Sequence, residues 1–281
     1  MPTASTSIAK SRWHRRSPTA PRWSPPRKRP ASSPRSASTI SRTRSFFSRA
    51  TLSKAARSAK YGRFAAFTRK ISWRMRAFRG VGGWTRAAAG GALADIGSHM
   101  IACMRHLVGP IRSVLAETVI HIPQRPVARG ATATRTVEVD DVTRAFVRFE
   151  SGASGSFEAS WIATGRKMQH DFEIYGSKGS IVFTQERLNE IRVYYAGDDI
   201  RSRGFRTIWA GPEHPPYGAF CVAPGHQIGF NELKAIEANE FLEAIAKGSK
   251  TSTDFREGYE VQKVLSATYH SARTNEWVEI G

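Results

Sequence analysis

Acidic residues are missing from the first third of this sequence. No aspartate or glutamate occurs among the first 94 residues, which contain 22 lysines and arginines, so this stretch carries a net charge of +22. The remaining 187 residues contain 21 basic and 23 acidic side chains, and their net charge of −2 completes the overall +20. The high isoelectric point therefore belongs to the N-terminal third alone.

Cysteine is scarce, and long hydrophobic runs are absent. Cys103 and Cys221 are too few for a disulfide framework and lack the spacing of metal ligands, so we expect a cytoplasmic protein without a metal site. No run of 18 apolar residues occurs, and no apolar segment follows Met1. We therefore expect neither a membrane span nor a secretory signal.

The basic segment, residues 1–87, has the composition of a disordered chain. Between Ser17 and Arg44 it consists mainly of Ser, Pro, Arg, Thr and Ala, and its prolines interrupt any helix. Such a segment buries too little apolar surface to offset its ordering entropy. The sequence thus predicts a basic, low-complexity segment over residues 1–87 and a folded domain over residues 88–281.

Three interpretations of the basic segment compete. It can be a nucleic-acid-binding arm, in which arginines neutralise phosphates and Trp13 and Trp23 stack on bases. It can be an organelle transit peptide, since these are also rich in Arg and Ser and poor in acids. The third interpretation is a stretch translated out of frame, because a shifted frame of a GC-rich gene yields Arg, Ala, Pro and Ser.

The out-of-frame hypothesis explains more of the sequence. Codons allowed for the residues from Ala4 to Trp13, shifted back by one base, encode a segment that contains Glu-Lys-Pro. The two frames rejoin near residues 87–90, just before the first acidic residue of the chain, Asp95. On this hypothesis Met1 is an internal start. Sequencing the coding DNA across codons 1–90 tests it.

A helix with candidate acid-base residues follows the basic segment. Apolar residues recur at helical spacing from Ala92 to Leu107, after Gly90 and Gly91. Asp95 and His99 are four residues apart and share one face of an α-helix. A histidine oriented by a carboxylate can accept a hydroxyl proton. The alternative is an ordinary surface pair of charged residues.

The pattern beyond this helix predicts a meander of mostly antiparallel strands and two closing helices. Strands are expected over residues 113–122, 142–149, 156–162, 172–175, 180–183 and 277–280, with turns at Gly152–Gly155 and Gly176–Gly179. Helices are expected over residues 232–246 and 255–272. This is an α+β domain, with helices on one face of an open sheet.

Three segments resemble the C-terminal domain of the glucose-fructose oxidoreductase / inositol dehydrogenase (Gfo/Idh/MocA) family. The first is Ala92–His99, which together with the preceding Gly90 and Gly91 has the pattern Gly-Gly-x-Leu-x-Asp-x-Gly-x-His. The others are Ala163–Lys167 and Gly176–Ile181. The resemblance implies an NAD(P)-dependent oxidoreductase that oxidises a secondary hydroxyl of a sugar or polyol. It also implies that Asp95 and His99 are catalytic together with the lysine of a Glu-Lys-Pro segment.

The resemblance further implies a cofactor-binding Rossmann domain and a dimer that forms through the open face of the sheet. No Glu-Lys-Pro segment and no glycine-rich phosphate loop lie in this sequence as it is read. We therefore expect this chain to bind neither NAD nor NADP and to be inactive by itself. Nucleic acid is expected to bind only non-specifically, through the basic segment.

Four further residues are weaker candidates for substrate binding. Arg166 and Lys167 follow a strand, together with His170, and can reach an anionic or hydroxylated substrate. Tyr217 and His226 lie in a long loop rich in Pro and Gly, where substrate-shaping side chains often occur. Solvated loop cations and structural positions are the alternatives. A non-catalytic dimeric scaffold and a nucleic-acid-binding protein remain the other candidate functions.

Overall fold

A mostly antiparallel sheet forms the framework of the computed structural model, which describes residues 64–70, 90–128, 130–251 and 253–281. The strands of the described residues are β1 (Phe64–Lys70), β2 (Ile111–Val119), β3 (Gln124–Pro126), β4 (Thr134–Thr136), β5 (Val142–Phe149), β6 (Ser154–Ser160), β7 (Gln169–Gly176), β8 (Gly179–Thr184), β9 (Glu190–Tyr195), β10 (Arg206–Trp209) and β11 (Val278–Glu279).

Nine of these strands form one sheet, in the order β10-β9-β8-β7-β1-β6-β5-β2-β11. Strand β1 lies in the middle, parallel to β6 and antiparallel to β7. The other neighbouring strands pair antiparallel. Strands β3 and β4 form a separate two-stranded ribbon, in the part of the chain that connects β2 to β5.

Among the described residues, three long helical segments accompany the sheet, besides two 3-10 turns at Gln185–Arg187 and Tyr217–Ala219. The first, which we call the site helix, begins with a π-helical turn, Leu93–Gly97, and continues as α1, Ser98–Leu107. Helices α2 (Phe230–Lys247) and α3 (Phe255–Thr274) follow the last long loop. Gly248 and Asn275, both in the left-handed conformation, end α2 and α3. None of the helices among the described residues has the length and apolarity that crossing a membrane requires.

The core lies between the helices and one face of the sheet. In β5, the alternate residues Ala145, Val147 and Phe149 are buried, whereas Phe146, on the opposite face, is 62% exposed. Helix α3 packs on β2 and contacts α1. Apolar residues of these helices, such as Met104 and Val264, join the same buried cluster. Helices therefore cover one face, and no described helix covers Phe146 on the other.

The α+β architecture expected from the sequence is confirmed. The predicted pairing across Gly176–Gly179 is present, with Phe172 opposite Phe183. The strand predicted over residues 113–122 is β2, which runs over Ile111–Val119. The strand predicted from residue 156 is β6, which begins at Ser154. Both closing helices form, and each extends one to two residues beyond its predicted bounds at one or both ends.

Strand β1 differs from the expectation of a disordered basic segment, because it lies upstream of residue 87 and pairs with strands far downstream. Composition averaged over the whole segment hides the locally apolar sequence Phe-Ala-Ala-Phe at residues 64–67. The rest of the basic segment, with Trp13, Trp23 and the hypothetical frame junction, lies outside the described residues. The boundary at residue 87 stays a prediction.

Candidate functional site

Asp140, two residues before β5, binds the first turn of the site helix. The backbone N–H of Ala92 donates to the Asp140 carbonyl oxygen at 2.9 Å, and the N–H of Leu93 donates to its carboxylate Oδ2 at 2.8 Å. Unpaired N–H groups at a helix N-terminus favour a negative charge. A carboxylate from the sheet therefore fixes where the helix begins.

Gly91 permits this close approach. A Cβ atom at residue 91 would lie within 2.5 Å of three Asp140 atoms, of which two are backbone atoms. Real Cβ atoms do not approach backbone atoms so closely, and Asp140 is held by its hydrogen bonds to Thr143 and Tyr269. The second glycine of the Gly-Gly pair is thus required by packing against β5.

The Asp140 carboxylate has two further donors. The Thr143 hydroxyl donates to Oδ2 at 2.8 Å, and the Tyr269 hydroxyl of α3 donates to Oδ1 at 3.2 Å. Burial raises the pKa of Tyr269 well above its usual 10.0, and the neighbouring Asp140 charge and hydrogen bond raise it further. Asp140 thereby joins the site helix, β5 and α3 in one buried network.

Asp95 lies in the π-helical turn and is bound from the sheet. Its carboxylate Oδ2 accepts a hydrogen bond from the indole Nε1–H of Trp161 at 3.1 Å. The Ser98 N–H donates to the Leu93 carbonyl, five residues back, as π-helical winding requires. The i,i+4 relation of Asp95 and His99 therefore does not follow α-helical geometry throughout. Both side chains are partly exposed.

Asp141, the residue after Asp140, holds the β3–β4 ribbon beside the buried network of Asp140. Its Oδ2 accepts hydrogen bonds from the backbone N–H groups of His121 and Ile122, each at 2.8 Å. Its Oδ1 forms a buried ion pair with Arg125, whose side chain is 2% exposed. The backbone N–H of Trp161 donates to the Asp141 carbonyl at 2.9 Å. The two aspartates thus fix the surroundings of Asp95.

The weaker candidate cations occupy an exposed loop. Arg166 forms an ion pair with Glu186, with Nη1 and Oε2 3.0 Å apart, and the backbone N–H of Lys167 donates to the other oxygen of Glu186. The Glu186 carboxylate therefore binds both residues of this loop. This contact is consistent with the alternative that Arg166 is a loop cation with no role in substrate binding. His170, by contrast, lies within β7 and is only 4% exposed.

Tyr217 and His226 lie in different environments. The Tyr217 ring is completely buried, its hydroxyl donates to Asn189 at 2.9 Å, and burial raises its pKa far above the usual value. The same Asn189 amide binds both backbone groups of Ile228, so Tyr217 helps to fold the long loop. His226 is exposed. Tyr217 thus occupies a core position instead of a substrate-facing one.

Two features of the described residues bear on the binding of a metal ion and of a dinucleotide. No group of three or more His, Cys, Asp or Glu side chains among them converges on a metal position. The N-terminus of a helix is a common binding site for a pyrophosphate group. The N-termini of the described site helix, α2 and α3 are each bound by a carboxylate, from Asp140, Glu232 and Asp254 respectively.

Sequence pattern proposed Asp95 and His99 but missed Trp161, which binds Asp95, and Asp140, which binds the first turn of the site helix. Asp140 and Trp161 are 45 and 66 residues away from Asp95 in the chain, so local spacing does not connect them. One signal was available, because two consecutive aspartates stand between the apolar residues Val139 and Val142. Acidic side chains are almost never fully buried unless they are paired, so this pattern indicates a polar network.

Comparison with known proteins relates this arrangement to a family of dehydrogenases. Residues 50–182 match the model of the GFO/IDH/MocA C-terminal domain, and this range begins upstream of residue 87. A levoglucosan dehydrogenase of Pseudarthrobacter phenanthrenivorans is 39% identical over 221 residues, which cover 75% of this chain and 55% of that enzyme. An uncharacterized oxidoreductase of Synechocystis sp. is 28% identical over 203 residues, 69% of this chain and 51% of that protein.

Solved structures give the same relationship. A levoglucosan dehydrogenase in complex with NADH and L-sorbose superposes with a TM-score of 0.78 at 36% identity, covering 86% of this chain and 64% of that chain. An oxidoreductase domain protein from Kribbella flavida superposes with a TM-score of 0.76 at 30% identity, with the same coverage. This chain spans about half the length of the curated relatives that it matches.

Proposed function

The chain belongs to the GFO/IDH/MocA family of oxidoreductases, whose C-terminal domain it carries, and on this premise we propose that it provides the substrate-binding half of a sugar or polyol dehydrogenase. The observation that carries the proposal is the Asp95 carboxylate. It is held by Trp161 on a partly exposed turn, four residues before His99. The similar enzymes named for levoglucosan make a sugar with secondary hydroxyls the first substrate class to test.

Oxidation of a secondary hydroxyl removes a hydride from carbon and a proton from oxygen. An imidazole with a pKa near neutrality can accept that proton, so His99 is the candidate general base. The Asp95 oxygen that Trp161 does not use, Oδ1, receives no other hydrogen bond among the described residues. It can therefore accept one from a sugar hydroxyl and orient the ring. In this proposal the described residues perform only the proton half of the reaction.

We further propose that these 281 residues do not turn over substrate by themselves. In the related family, the motif lysine of Glu-Lys-Pro acts with the histidine, and that motif is not present in this sequence. The N-termini of the described site helix, α2 and α3 are bound by carboxylates, and this negative charge disfavours a pyrophosphate there. NAD or NADP is thus the cofactor of the activity to which this domain belongs, and we expect neither to bind tightly here.

The open face of the sheet is the proposed contact between two copies of the chain, in a cytoplasmic protein. On this face, Phe146 of β5 is 62% exposed and lies between charged neighbours. On either side, Arg144 pairs with Glu158, and Arg148 stacks on the Trp277 ring with 3.9 Å between its guanidinium carbon and the ring centroid. An exposed aromatic residue surrounded by charged pairs is the usual composition of an interface.

Sugar binding tests the proposed function directly. Levoglucosan titrated into the purified 281-residue chain, followed by ligand-detected NMR, is expected to bind saturably. Asp95→Ala and His99→Ala are each expected to weaken binding roughly tenfold, since each removes a hydrogen bond to the sugar. Asp199→Ala, in an exposed loop, is the matched control and leaves affinity unchanged. Binding that does not respond to either site substitution would refute the assignment of the site.

Cofactor binding tests the proposed inactivity. NADH fluorescence is expected to show no saturable change on addition of the chain, and levoglucosan with NAD is expected to give no NADH. Tight NADH binding by the purified chain would contradict this part of the proposal while leaving the sugar site intact.

A further inference from the structure

Trp161 is a buried side chain whose polar atom is aimed at the candidate site. It follows β6 directly, and its backbone N–H is bound to the Asp141 carbonyl at 2.9 Å. Its ring is 5% exposed and packs in a small apolar cluster with Ala92, Ile96 and Val139. The ring is therefore fixed both by the sheet and by the residues of the site helix.

The indole N–H needs an acceptor, because a buried unpaired donor costs stability. It finds one in Asp95 Oδ2, 66 residues earlier in the chain, at 3.1 Å. This contact crosses from the sheet to the π-helical turn of the site helix. It restrains the rotation of the Asp95 carboxylate, which the helix backbone alone leaves free to turn.

The two oxygens of Asp95 then have different surroundings. Oδ2 accepts from Trp161, and Oδ1 receives no other hydrogen bond among the described residues. The Asp95 side chain is partly exposed, so a ligand from solvent can reach it. We propose that Trp161 is a positioning residue, which holds Asp95 with one oxygen presented to a sugar hydroxyl and thereby sets the affinity for substrate.

This inference rests on the proposed function, since it assigns Trp161 a role in sugar binding through Asp95. Trp161 itself is too deeply buried to stack on a sugar ring. An effect of Trp161 on binding must therefore pass through another residue. The alternative is a purely structural role, in which Trp161 fills the apolar cluster and stabilises the fold without affecting Asp95 in particular.

The hydrogen bond itself is tested first, without altering Trp161. In the ¹⁵N-labelled 281-residue chain, Asp95→Asn is expected to move the Trp161 indole N–H resonance to higher field, because a charged acceptor is replaced by a neutral one. Trp161→Phe assigns the resonance by its disappearance. Asp199→Asn, in the exposed loop, is the matched control and leaves it in place. An unchanged resonance in Asp95→Asn would overturn the inference, whether or not sugar binds.

A double-substitution cycle then tests the role in binding. Trp161→Phe is expected to weaken levoglucosan binding roughly tenfold, as for loss of a hydrogen bond to a charged group. In an Asp95→Ala background the same substitution is expected to add no further loss. Trp209→Phe, whose ring is 75% exposed, is the matched control. Losses that add independently would leave Trp161 a structural residue and refute the proposal.

The outcomes separate this inference from the proposed function. Failure of the unsubstituted chain to bind levoglucosan counts against the function, and against the inference with it. Sugar binding that responds to Asp95→Ala but not to Trp161→Phe overturns the inference alone. If Trp161→Phe does not fold, the resonance of Trp161 in Asp95→Asn still decides whether the contact exists.

Discussion

Two neighbouring aspartates, Asp140 and Asp141, bind different parts of the chain although they are adjacent in sequence. Asp140 accepts four hydrogen bonds from the site helix, β5 and α3. Asp141 is paired with Arg125, and both side chains are at most 2% exposed. A buried carboxylate that loses its partners keeps its desolvation cost, so each of these residues has few acceptable substitutes.

The buried hydroxyl of Tyr269 predicts a loss of stability at alkaline pH. Its pKa is raised in the folded protein, first by burial and then by Asp140, whereas the unfolded chain has the usual value near 10.0. The contribution of the Tyr269 hydroxyl to the free energy of unfolding is fully present below about pH 10. It is lost as pH rises above this value, because only the unfolded chain then releases the hydroxyl proton. The unfolding free energies of the unsubstituted chain and Tyr269→Phe should therefore converge above about pH 10.

Urea unfolding at a series of pH values measures this effect. Tyr259→Phe is the matched control, since the Tyr259 ring is 64% exposed on the same helix. Its unfolding free energy should stay parallel to that of the unsubstituted chain at every pH. A constant difference between the unsubstituted chain and Tyr269→Phe across the alkaline range would show that the hydroxyl is not protected by folding.

At the scale of elements, sequence pattern predicts those parts whose signal is local. The alternation of Ala145, Val147 and Phe149 identified β5, and the glycines at residues 176 and 179 identified the turn between β7 and β8. The π-helical winding of Leu93–Gly97 was not predicted, because apolar spacing over five residues is the same for an α-helix. Asp140 and Trp161 were missed because their role arises from contacts between distant segments.

Substitution of Gly91 tests how strongly the stability of the protein depends on the packing of the site helix against β5. Gly91→Ala should lower the free energy of unfolding by about 1–3 kcal/mol, because its Cβ would overlap Asp140 and force the two elements apart. It should weaken levoglucosan binding too, since Asp95 lies one turn further on.

Gly258→Ala is the matched control for this glycine. Gly258 is inside α3 with open space around it, so alanine there should raise the unfolding free energy by up to about 1 kcal/mol. Thermal and urea unfolding of the two variants make the comparison. If Gly91→Ala and Gly258→Ala change the free energy of unfolding equally, the site helix and β5 can separate at no cost in stability.

The open sheet face predicts the behaviour of the whole molecule. Phe146→Arg should convert the proposed dimer to a monomer, because a third arginine would face Arg144 and Arg148 on the same face of β5. The loss should exceed tenfold in the dimer dissociation constant, as for a central aromatic contact. Ile200→Arg, in a loop where Ile200 is 79% exposed, is the control. Sedimentation velocity that finds a monomer before any substitution would refute the proposed contact.

Strand β1 also has a consequence for the order in which the protein is made. Its partner in β6 lies 90 residues downstream, at Phe67 and Phe157, and its partner in β7 lies further still. The ribosome therefore synthesises this strand long before either neighbour, and the four strands on each side of it in the sheet are all made later. Such distant pairing is slow, and until it is complete the growing chain exposes two unpaired strand edges to other nascent chains and to chaperones.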